Sequence, residues 1–339
     1  MSTLRKVVLT ILTVLALMVI GAYAFLQVQL GKIDRVTTEE TEFTTEDFEE
    51  DTDEPDTIDV STIEWGDDDV EISNDQGVVN ILLVGQDTRV PGQRARSDTM
   101  IVLSMDNVNK RLSMLSIMRD LYVKIPGYSD NKINAAYAFG GFELLDATIE
   151  QNFGIHIDYN VEVDFTGFKD IVDAVGGIDV ELNKGEVNYL SGYSSYGKKH
   201  NDTPVSGLIV GTNHLDGEAA LAYARIRYVA TDTQRDDFGR TQRQRIVIQK
   251  IFQKVKDQPW TDLLNIYTSV ADDVLTDMTN DQILSLALTA YNLGVDEIDE
   301  YRIPEDGSYS GQSIRGMSVL VPNDWNALRA NIQEFVYGK

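Results

Sequence analysis

The N-terminal region contains a run of residues, Val7 to Leu30, that is nearly all apolar and carries no charged side chain. About twenty apolar residues are enough to cross the hydrocarbon core of a bilayer. The basic pair Arg5 and Lys6 precedes the run, which is long for a signal peptide and has no clear small-residue cleavage site after it. We therefore predict one transmembrane signal anchor at residues 7–30, a cytoplasmic tail at residues 1–6, and an extracellular location for the rest of the chain.

An acidic segment follows the predicted anchor. Between Glu39 and Asp75 the sequence has 18 acidic residues and no basic residue. Such a segment repels itself and cannot bury enough apolar surface to fold. We interpret residues 31–76 as an acidic extracellular linker, with a cation-binding or partner-binding tail as the alternative. The chain has no cysteine, which excludes disulfides and thiolate metal sites and, in an exported protein, favours a Gram-positive surface.

Apolar runs typical of buried strands alternate with helical segments from Gly77 onwards. This order predicts one α/β domain over residues 77–339, in which a mixed central β-sheet is flanked by helices on both faces as α-β-α layers. We expect residues 160–182 to form a β-α-β unit with a right-handed parallel crossover, and residues 182–207 to form a long polar loop. The predicted strands cover residues 78–87, 99–106, 111–120, 160–165, 178–182, 297–304 and 318–322, and the predicted helices cover residues 134–153, 166–177, 216–227, 239–256, 260–274, 279–293 and 323–336.

Arginines concentrate in one stretch of this acidic chain. The formal charge is -26, yet six arginines lie within residues 225–245. At about 100° per residue around a helix, Arg240 and Gln244 fall close to the apolar stripe that begins at Ile248. A buried arginine requires an anionic partner, and the first turn of a helix adds free N–H groups and a positive dipole end. The stretch therefore predicts a site for a compact anion such as phosphate.

Internal pairing is the alternative for any single arginine, because acidic residues lie among them, namely Asp232, Asp236 and Asp237. Six arginines outnumber these acids, and two of the polar side chains enter the core face, which favours the anion site. Nucleic acid is not expected as a partner. Residues 76–339 have 36 acidic and 25 basic side chains, whereas a nucleic-acid footprint requires a basic face.

Seven motifs occur in order within residues 78–255: NILLVGQDTR, RSDTMIVLSMD, LSIMRDLYVKIPG, KINAAYAFGG, VDFTGFKDIVDAVGGIDVEL, HLDGEAALAYARIR and DFGRTQRQR. In composition and order they resemble the LytR-CpsA-Psr family, and several long motifs in sequence are far more specific than one short motif. One departure is Met118, where the family commonly has proline before the Arg-Asp pair. The resemblance implies a short cytoplasmic tail, one membrane helix and an extracellular catalytic domain.

The resemblance also implies an activity. Family members transfer glycopolymers, such as wall teichoic acid or capsular polysaccharide, from polyprenyl diphosphate carriers to peptidoglycan, and they use Mg²⁺. We therefore expect a membrane-anchored phosphotransferase, because phosphoryl transfer needs positioning, charge neutralisation and a divalent ion rather than a protein nucleophile. The alternatives are a hydrolase that acts on the polyprenyl diphosphate and a non-catalytic regulator of polymer synthesis that binds the lipid diphosphate.

Carried over motif by motif, the resemblance implies a set of site residues. Asp87 and Asp98 are the candidates to hold Mg²⁺, and with Arg119 and Asp237 they are the candidates for catalysis. Asp237 could orient an arginine, bind metal or act as a general base, and the sequence does not choose among these roles. By family motif the expected diphosphate ligands are Arg119, Arg225, Arg227, Arg240 and Gln244. Apart from the resemblance, further candidates for contact with phosphate or sugar are Arg89, Arg96, Lys132 and Asn134, although surface solvation explains each nearly as well. Structural or electrostatic support is expected from Arg235, Arg243 and Arg245.

The isoprenoid of such a carrier requires an apolar groove or tunnel. The sequence offers wall residues on two predicted helices, although ordinary core packing predicts the same side chains: Phe165, Phe168, Ile171, Val172, Ile248, Ile251, Phe252 and Val255.

Overall fold

A seven-stranded mixed sheet forms the centre of the computed structural model, which describes residues 27–28, 31–35, 56–67, 70–75, 77–86, 94–192, 204–231 and 234–338. The strand order is β1-β10-β7-β2-β3-β4-β11. The strands of the structure are β1 Asp34–Arg35, β2 Val78–Gln86, β3 Ser97–Asp106, β4 Arg111–Ile117, β5 Tyr122–Val123, β6 Asn131–Lys132, β7 Tyr159–Val163, β8 Ile178–Leu182, β9 Gly211–Leu215, β10 Val274–Thr276, β11 Asp299–Ile303, β12 Tyr309–Ile314 and β13 Met317–Pro322.

Helices cover both faces of this sheet. They are α1 Ile133–Phe153, α2 Phe165–Ala174, α3 Lys184–Leu190, α4 Gly217–Ala224, α5 Asp236–Val255, α6 Trp260–Val270, α7 Asn280–Leu293 and α8 Trp325–Tyr337. Because successive strand residues point to opposite faces, Leu82 and Val84 of β2 pack with α1 and α8, whereas Leu83 packs with α5 and α7. The predicted mixed sheet between two helical layers is confirmed.

The predicted anchor cannot be followed in the structure. Residues 7–26 and 29–30 lie outside the described residues. Within the part of the chain that is described, no helix has the length and apolarity needed to span a bilayer.

The predicted β-α-β crossover is wrong. β8 does not join the central sheet but pairs with β9, antiparallel, in a separate two-stranded sheet. Its side chains alternate between buried and exposed, with Asp179 and Glu181 on the exposed side. A strand with one polar face cannot lie between two helical layers, because strands in such a sheet are buried on both faces.

The predicted loop at residues 182–207 is also partly wrong. Helix α3 forms within it because Asn183 and Glu186 make a capping box, each side chain accepting a hydrogen bond from the other's backbone N–H. Residues 193–203 of the predicted loop lie outside the described residues.

The domain begins before residue 77, so the predicted linker boundary is too late. Trp65 packs against Trp325 with ring centroids 5.5 Å apart, and Ile58, Val60 and Ile63 pack on the β12–β13 hairpin. These few apolar side chains lie among many acidic residues in the sequence. The charge of the segment therefore predicted a solvated linker, although its apolar residues pack on the domain. Residues 36–55 lie outside the described residues.

The first part of the predicted linker is attached to the edge of the sheet. β1 pairs in parallel with β10, and Ile33 beside it is 7% exposed. Gln27 donates a hydrogen bond to Asp281 and accepts one from Asn280, at 3.1 and 2.9 Å, where α7 begins. Residues 27–28 and 31–35 are therefore held against the domain.

A buried glutamate supports the end of β2 from the α1 side of the sheet. Glu162 of β7 accepts hydrogen bonds from the side chains of Gln86 and Tyr137. Gln86 in turn accepts the backbone N–H of Ala95 at 2.9 Å, which joins the end of β2 to the chain just before β3. Burial raises the pKa of Glu162 to about 7 and, on α1, raises that of Asp146 to about 7.

These two acids predict a pH-dependent stability. A folded-state pKa above the unfolded value means that the folded protein binds more protons, so unfolding free energy should fall as pH rises from about 4.5 to 7 and level off above it. Glu162→Gln removes one of the two titrations, which should roughly halve this slope and stabilise the protein by about 2–3 kcal/mol at pH 8. Chemical denaturation across this pH range measures both effects.

Glu181→Gln, on the exposed side of β8, serves as the control and should leave the slope unchanged. A slope in Glu162→Gln equal to that of the wild type would show that Glu162 is ionised throughout the range.

Candidate functional site

Three arginines from separate parts of the chain share two carboxylates. Arg119 lies 2.6 Å from Asp98 and 2.8 Å from Asp237. Arg240 lies 3.0 Å from Asp237 and 3.7 Å from Asp98. Arg227 lies 3.5 Å from Asp98 and 3.4 Å from Asp237. We call these five residues the arginine cluster.

The sheet topology explains why these residues meet. β3 runs antiparallel to β2 and to β4, so the end of β2, the start of β3 and the end of β4 share one edge of the sheet. Asp98 is the second residue of β3, and Arg119 follows β4 by two residues. Asp237 and Arg240 enter from the first turns of α5, whose unpaired N–H groups and positive dipole end also favour an anion.

The charges of the arginine cluster depend on one another. Burial opposes ionisation of Asp98, but the nearby charges of Arg119 and Arg240 outweigh it and hold the pKa of Asp98 below its usual range. Burial lowers the pKa of Arg240 to about 10 against the attraction of Asp237, so it stays protonated at neutral pH. Three guanidinium groups and two carboxylates leave one positive charge in excess, which suits a further anion.

An apolar cavity of about 720 Å³ extends from the cluster between the sheet and helices α2, α4 and α5. Its polar end is formed by Asp98, Arg225, Arg227, Arg240 and Gln244, and its walls are mainly aliphatic and aromatic. Gly85 faces Thr99 across the β2–β3 pair, where an added Cβ would lie 3.1 Å from the threonine Cβ. A side chain at this position would therefore crowd the cavity wall. We call this space the tail cavity.

Predicted wall residues fall into two groups. Five of them line the tail cavity: Phe165, Phe168, Ile171, Ile248 and Ile251. Phe252 packs instead against the sheet, Val172 lies in the core between α2 and α4, and Val255 is not among the lining residues, so these three assignments are wrong. The periodicity of α4 could have added Leu221 and Ala222, which lie on the same helix face as Arg225 and line the cavity.

The other predicted ligands have different surroundings. Arg225 lines the cavity with its guanidinium 4.3 Å from the centre of the Phe165 ring. Lys132 pairs with Asp120 at 3.2 Å, and Asp120 lies 3.7 Å from Arg119. These charges border the arginine cluster.

Asn134 is 2% exposed in the first turn of α1, where its backbone N–H reaches the carbonyl of Arg119 at 3.4 Å. Arg96 is half-buried directly before β3. Arg235 is exposed at the start of α5. Two predicted site residues, Asp87 and Arg89, lie outside the described residues.

Arg243 holds the segment that carries Arg227. It is fully buried, and it donates to Glu186 at 2.8 Å and to the carbonyls of Ile226 and Val229 at 3.1 and 2.7 Å. These carbonyls flank Arg227 in the chain. The planar guanidinium group of Arg243 therefore connects this segment to α5. The sequence places Arg243 on a flank of the helix but gives no signal for its partner Glu186.

Comparison with known proteins gives one family. The model of the LytR_cpsA_psr family matches residues 36–331. TagU of Bacillus cereus, a polyisoprenyl-teichoic acid–peptidoglycan teichoic acid transferase, is 34% identical over 251 residues, which are 74% of this chain and 76% of that protein. The crystal structure of B. subtilis TagV is 31% identical, with a TM-score of 0.60 and coverage of 78% of this chain and 98% of that one. The structure of TagT with bound octaprenyl pyrophosphate is 26% identical, with a TM-score of 0.57 and coverage of 77% and 91%.

Arg243→Lys should weaken anion binding as well as stability. Lysine keeps the charge but cannot make three divergent hydrogen bonds, so buried carbonyls lose their donor and stability should fall by about 3 kcal/mol. We expect the affinity for inorganic pyrophosphate, measured by titration calorimetry, to fall about tenfold because Arg227 is no longer fixed.

The matched control is Arg245→Lys, on the same helix. Arg245 is also buried, at 8% exposure, but pairs with Glu300. This variant should lose stability and keep its pyrophosphate affinity. Equal affinity losses in both variants would contradict a positioning role for Arg243.

Proposed function

The chain belongs to the LytR-CpsA-Psr family, as its motifs predicted, and on this premise we propose that it transfers a glycopolymer from a polyprenyl diphosphate carrier to peptidoglycan. TagU of Bacillus cereus, named as a transferase of teichoic acid to peptidoglycan, supports the reaction type. The related structure with bound octaprenyl pyrophosphate supports the carrier.

One observation carries the proposal: the arginine cluster lies at the polar end of an apolar cavity. A polyprenyl diphosphate likewise has a charged end and an apolar end, with two linked phosphates at one and a long hydrocarbon at the other. Guanidinium groups match phosphate oxygens in shape and charge, and the aliphatic walls suit an isoprenoid. Both halves of the substrate thus have complementary surroundings within one site.

The reaction follows from this placement. A sugar hydroxyl of the acceptor attacks the glycan-bearing phosphorus, the new P–O bond forms as the bond to polyprenyl phosphate breaks, and the hydroxyl proton passes to solvent. Arg119, Arg227 and Arg240 would neutralise the charge on the transferred and leaving phosphates. Asp237 pairs with all three of these guanidinium groups, so of the roles open to it we propose that it orients them.

Asp98 suits the chemistry of a Mg²⁺ ligand. Its carboxylate is kept ionised by its neighbours, faces the tail cavity and is 24% exposed. Magnesium needs only one or two carboxylates when phosphate oxygens and water complete its shell. A bound Mg²⁺ would supply charge neutralisation at the diphosphate.

The membrane location is part of the proposal. A polyprenyl carrier is held in a bilayer, so an enzyme that takes it into the tail cavity must work at the membrane surface. The apolar run at residues 7–30 would provide the anchor, with the domain outside the cell.

Asp98→Asn should reduce the rate of transfer without weakening the binding of pyrophosphate. Removing one carboxylate raises the excess positive charge of the cluster from one to two, so pyrophosphate affinity should be kept or increased, whereas transfer should fall by at least about 100-fold. The assay supplies lipid-diphosphate glycan, Mg²⁺ and peptidoglycan, and detects the covalent product. Asp299→Asn, an exposed acid at the other end of the sheet, is the control.

The wild-type product decides between the functional classes. If free glycan phosphate is the only product, the protein is a hydrolase and not a transferase. Lipid binding with no product would favour a regulator. Wild-type turnover in Asp98→Asn would remove Asp98 from the mechanism.

Ala222→Trp should weaken binding of the lipid tail without changing binding of the phosphates. Ala222 lines the tail cavity, so the indole would displace several methylene groups and should weaken polyprenyl diphosphate binding by about tenfold or more. Inorganic pyrophosphate should bind as in the wild type. The control is Ala287→Trp on the exposed side of α7, and equal lipid affinity in both variants would place the tail elsewhere.

A further inference from the structure

An aromatic and polar surface lies across α5 from the tail cavity. Phe238 and Tyr309 stack with ring centroids 5.5 Å apart and ring planes 28° apart. Both side chains stay half-exposed in this arrangement. Asp306, whose side chain is 62% exposed, accepts a hydrogen bond from Gln234 at 2.9 Å beside them. We call these four residues the aromatic surface.

Arg302 holds this surface in place from below. It is 8% exposed, and its guanidinium lies 4.4 Å from the centre of the Phe238 ring. The same group donates to Asp306 and to the carbonyl of Pro304, each at 2.7 Å. The rings and the carboxylate are thus fixed before any ligand arrives, which lowers the entropy cost of binding.

The position of the surface relative to Asp237 is set by the helix. At about 100° per residue, Phe238 points about 160° away from Arg240, while Asp237 lies between the two directions. Gln244, Ile248 and Ile251 share the side of Arg240 and line the tail cavity. Phe238 instead shares the side of Arg245, which pairs with Glu300 on β11. The aromatic surface and the tail cavity therefore lie on opposite sides of α5, and Asp237 of the arginine cluster points between them.

This geometry fits the incoming group of a displacement. In phosphoryl transfer the attacking and leaving oxygens are roughly in line through phosphorus. If polyprenyl phosphate leaves into the tail cavity, the attacking hydroxyl approaches from the side away from that cavity, and the aromatic surface lies on the far side of α5 from the cavity. Flat rings pack against the C–H faces of sugars, and carboxylate and amide groups bind their hydroxyls.

We infer that Phe238, Tyr309, Gln234 and Asp306 form the binding subsite for the acceptor glycan strand, an inference that rests on the proposed transferase function. The bond changes are those of that reaction: an acceptor hydroxyl oxygen held here bonds to phosphorus, polyprenyl phosphate departs, and the proton passes to solvent. The subsite positions the acceptor, and the arginine cluster binds the diphosphate.

Tyr309→Leu tests this inference in the full chain, with soluble peptidoglycan glycan strands as acceptor. Leucine keeps an apolar side chain but removes the ring, so the acceptor KM should rise about 5- to 10-fold. The KM for the lipid donor, and kcat at saturating acceptor, should stay within about twofold of wild type. An unchanged acceptor KM, or a rise in the donor KM instead, would overturn the inference.

The matched control is Tyr301→Leu. Tyr301 also contacts a phenylalanine ring, that of Phe335 with centroids 5.0 Å apart, but it packs on the α1 and α8 side of the sheet. It should leave the acceptor KM unchanged. Gln234→Ala provides a second variant at a half-exposed position, with the same expected rise in acceptor KM, if Tyr309→Leu does not fold.

Direct binding separates this inference from the proposed function. Calorimetric titration with glycan strands alone, without lipid donor, should show binding to the wild type that Tyr309→Leu weakens by the same factor. If glycan strands bind in a Tyr309-dependent way but the protein transfers no glycopolymer, the subsite is supported and the transferase function is rejected. Normal transfer with binding that does not depend on Tyr309 would reject the subsite alone.

Discussion

The pairing of three guanidinium groups with two carboxylates is the constraint on which the rest of the site depends. Arg240 is only 4% exposed, and a buried charge of this kind is tolerated only beside opposite charge. Asp98 and Asp237 provide that charge, and they come from β3 and α5, while Arg119 follows β4. The same contacts that assemble the anion site therefore join the sheet edge to the helix layer.

Local periodicity accounts for what the sequence could predict. The side of α5 that carries Arg240, Gln244 and Ile248 follows from helical spacing alone, and all three line the tail cavity. The strands β2, β3 and β4 were also predictable, because each is a continuous apolar run buried between helices. The meeting of Arg119 with Asp98 and Asp237 needed the family resemblance, since it depends on strand order.

Long-range partners account for what the sequence could not predict. Arg243 pairs with Glu186, which is 57 residues away in the sequence. Glu186 lies on helix α3, whose polar composition had predicted a loop. β8 pairs with β9 outside the central sheet, although its chain neighbours suggested a crossover. Trp65 is surrounded by acids in sequence yet packs against Trp325. In each case the deciding interaction is with residues that no short window contains.

The attachment of residues 27–28 and 31–35 has a consequence for the orientation of the domain. Pairing of β1 with β10, together with the bonds of Gln27 to Asn280 and Asp281, fixes these residues to the edge of the sheet beside α7. A domain joined to them by a flexible linker could rotate freely about them. Here they keep one orientation relative to the sheet, and therefore also relative to the mouth of the tail cavity.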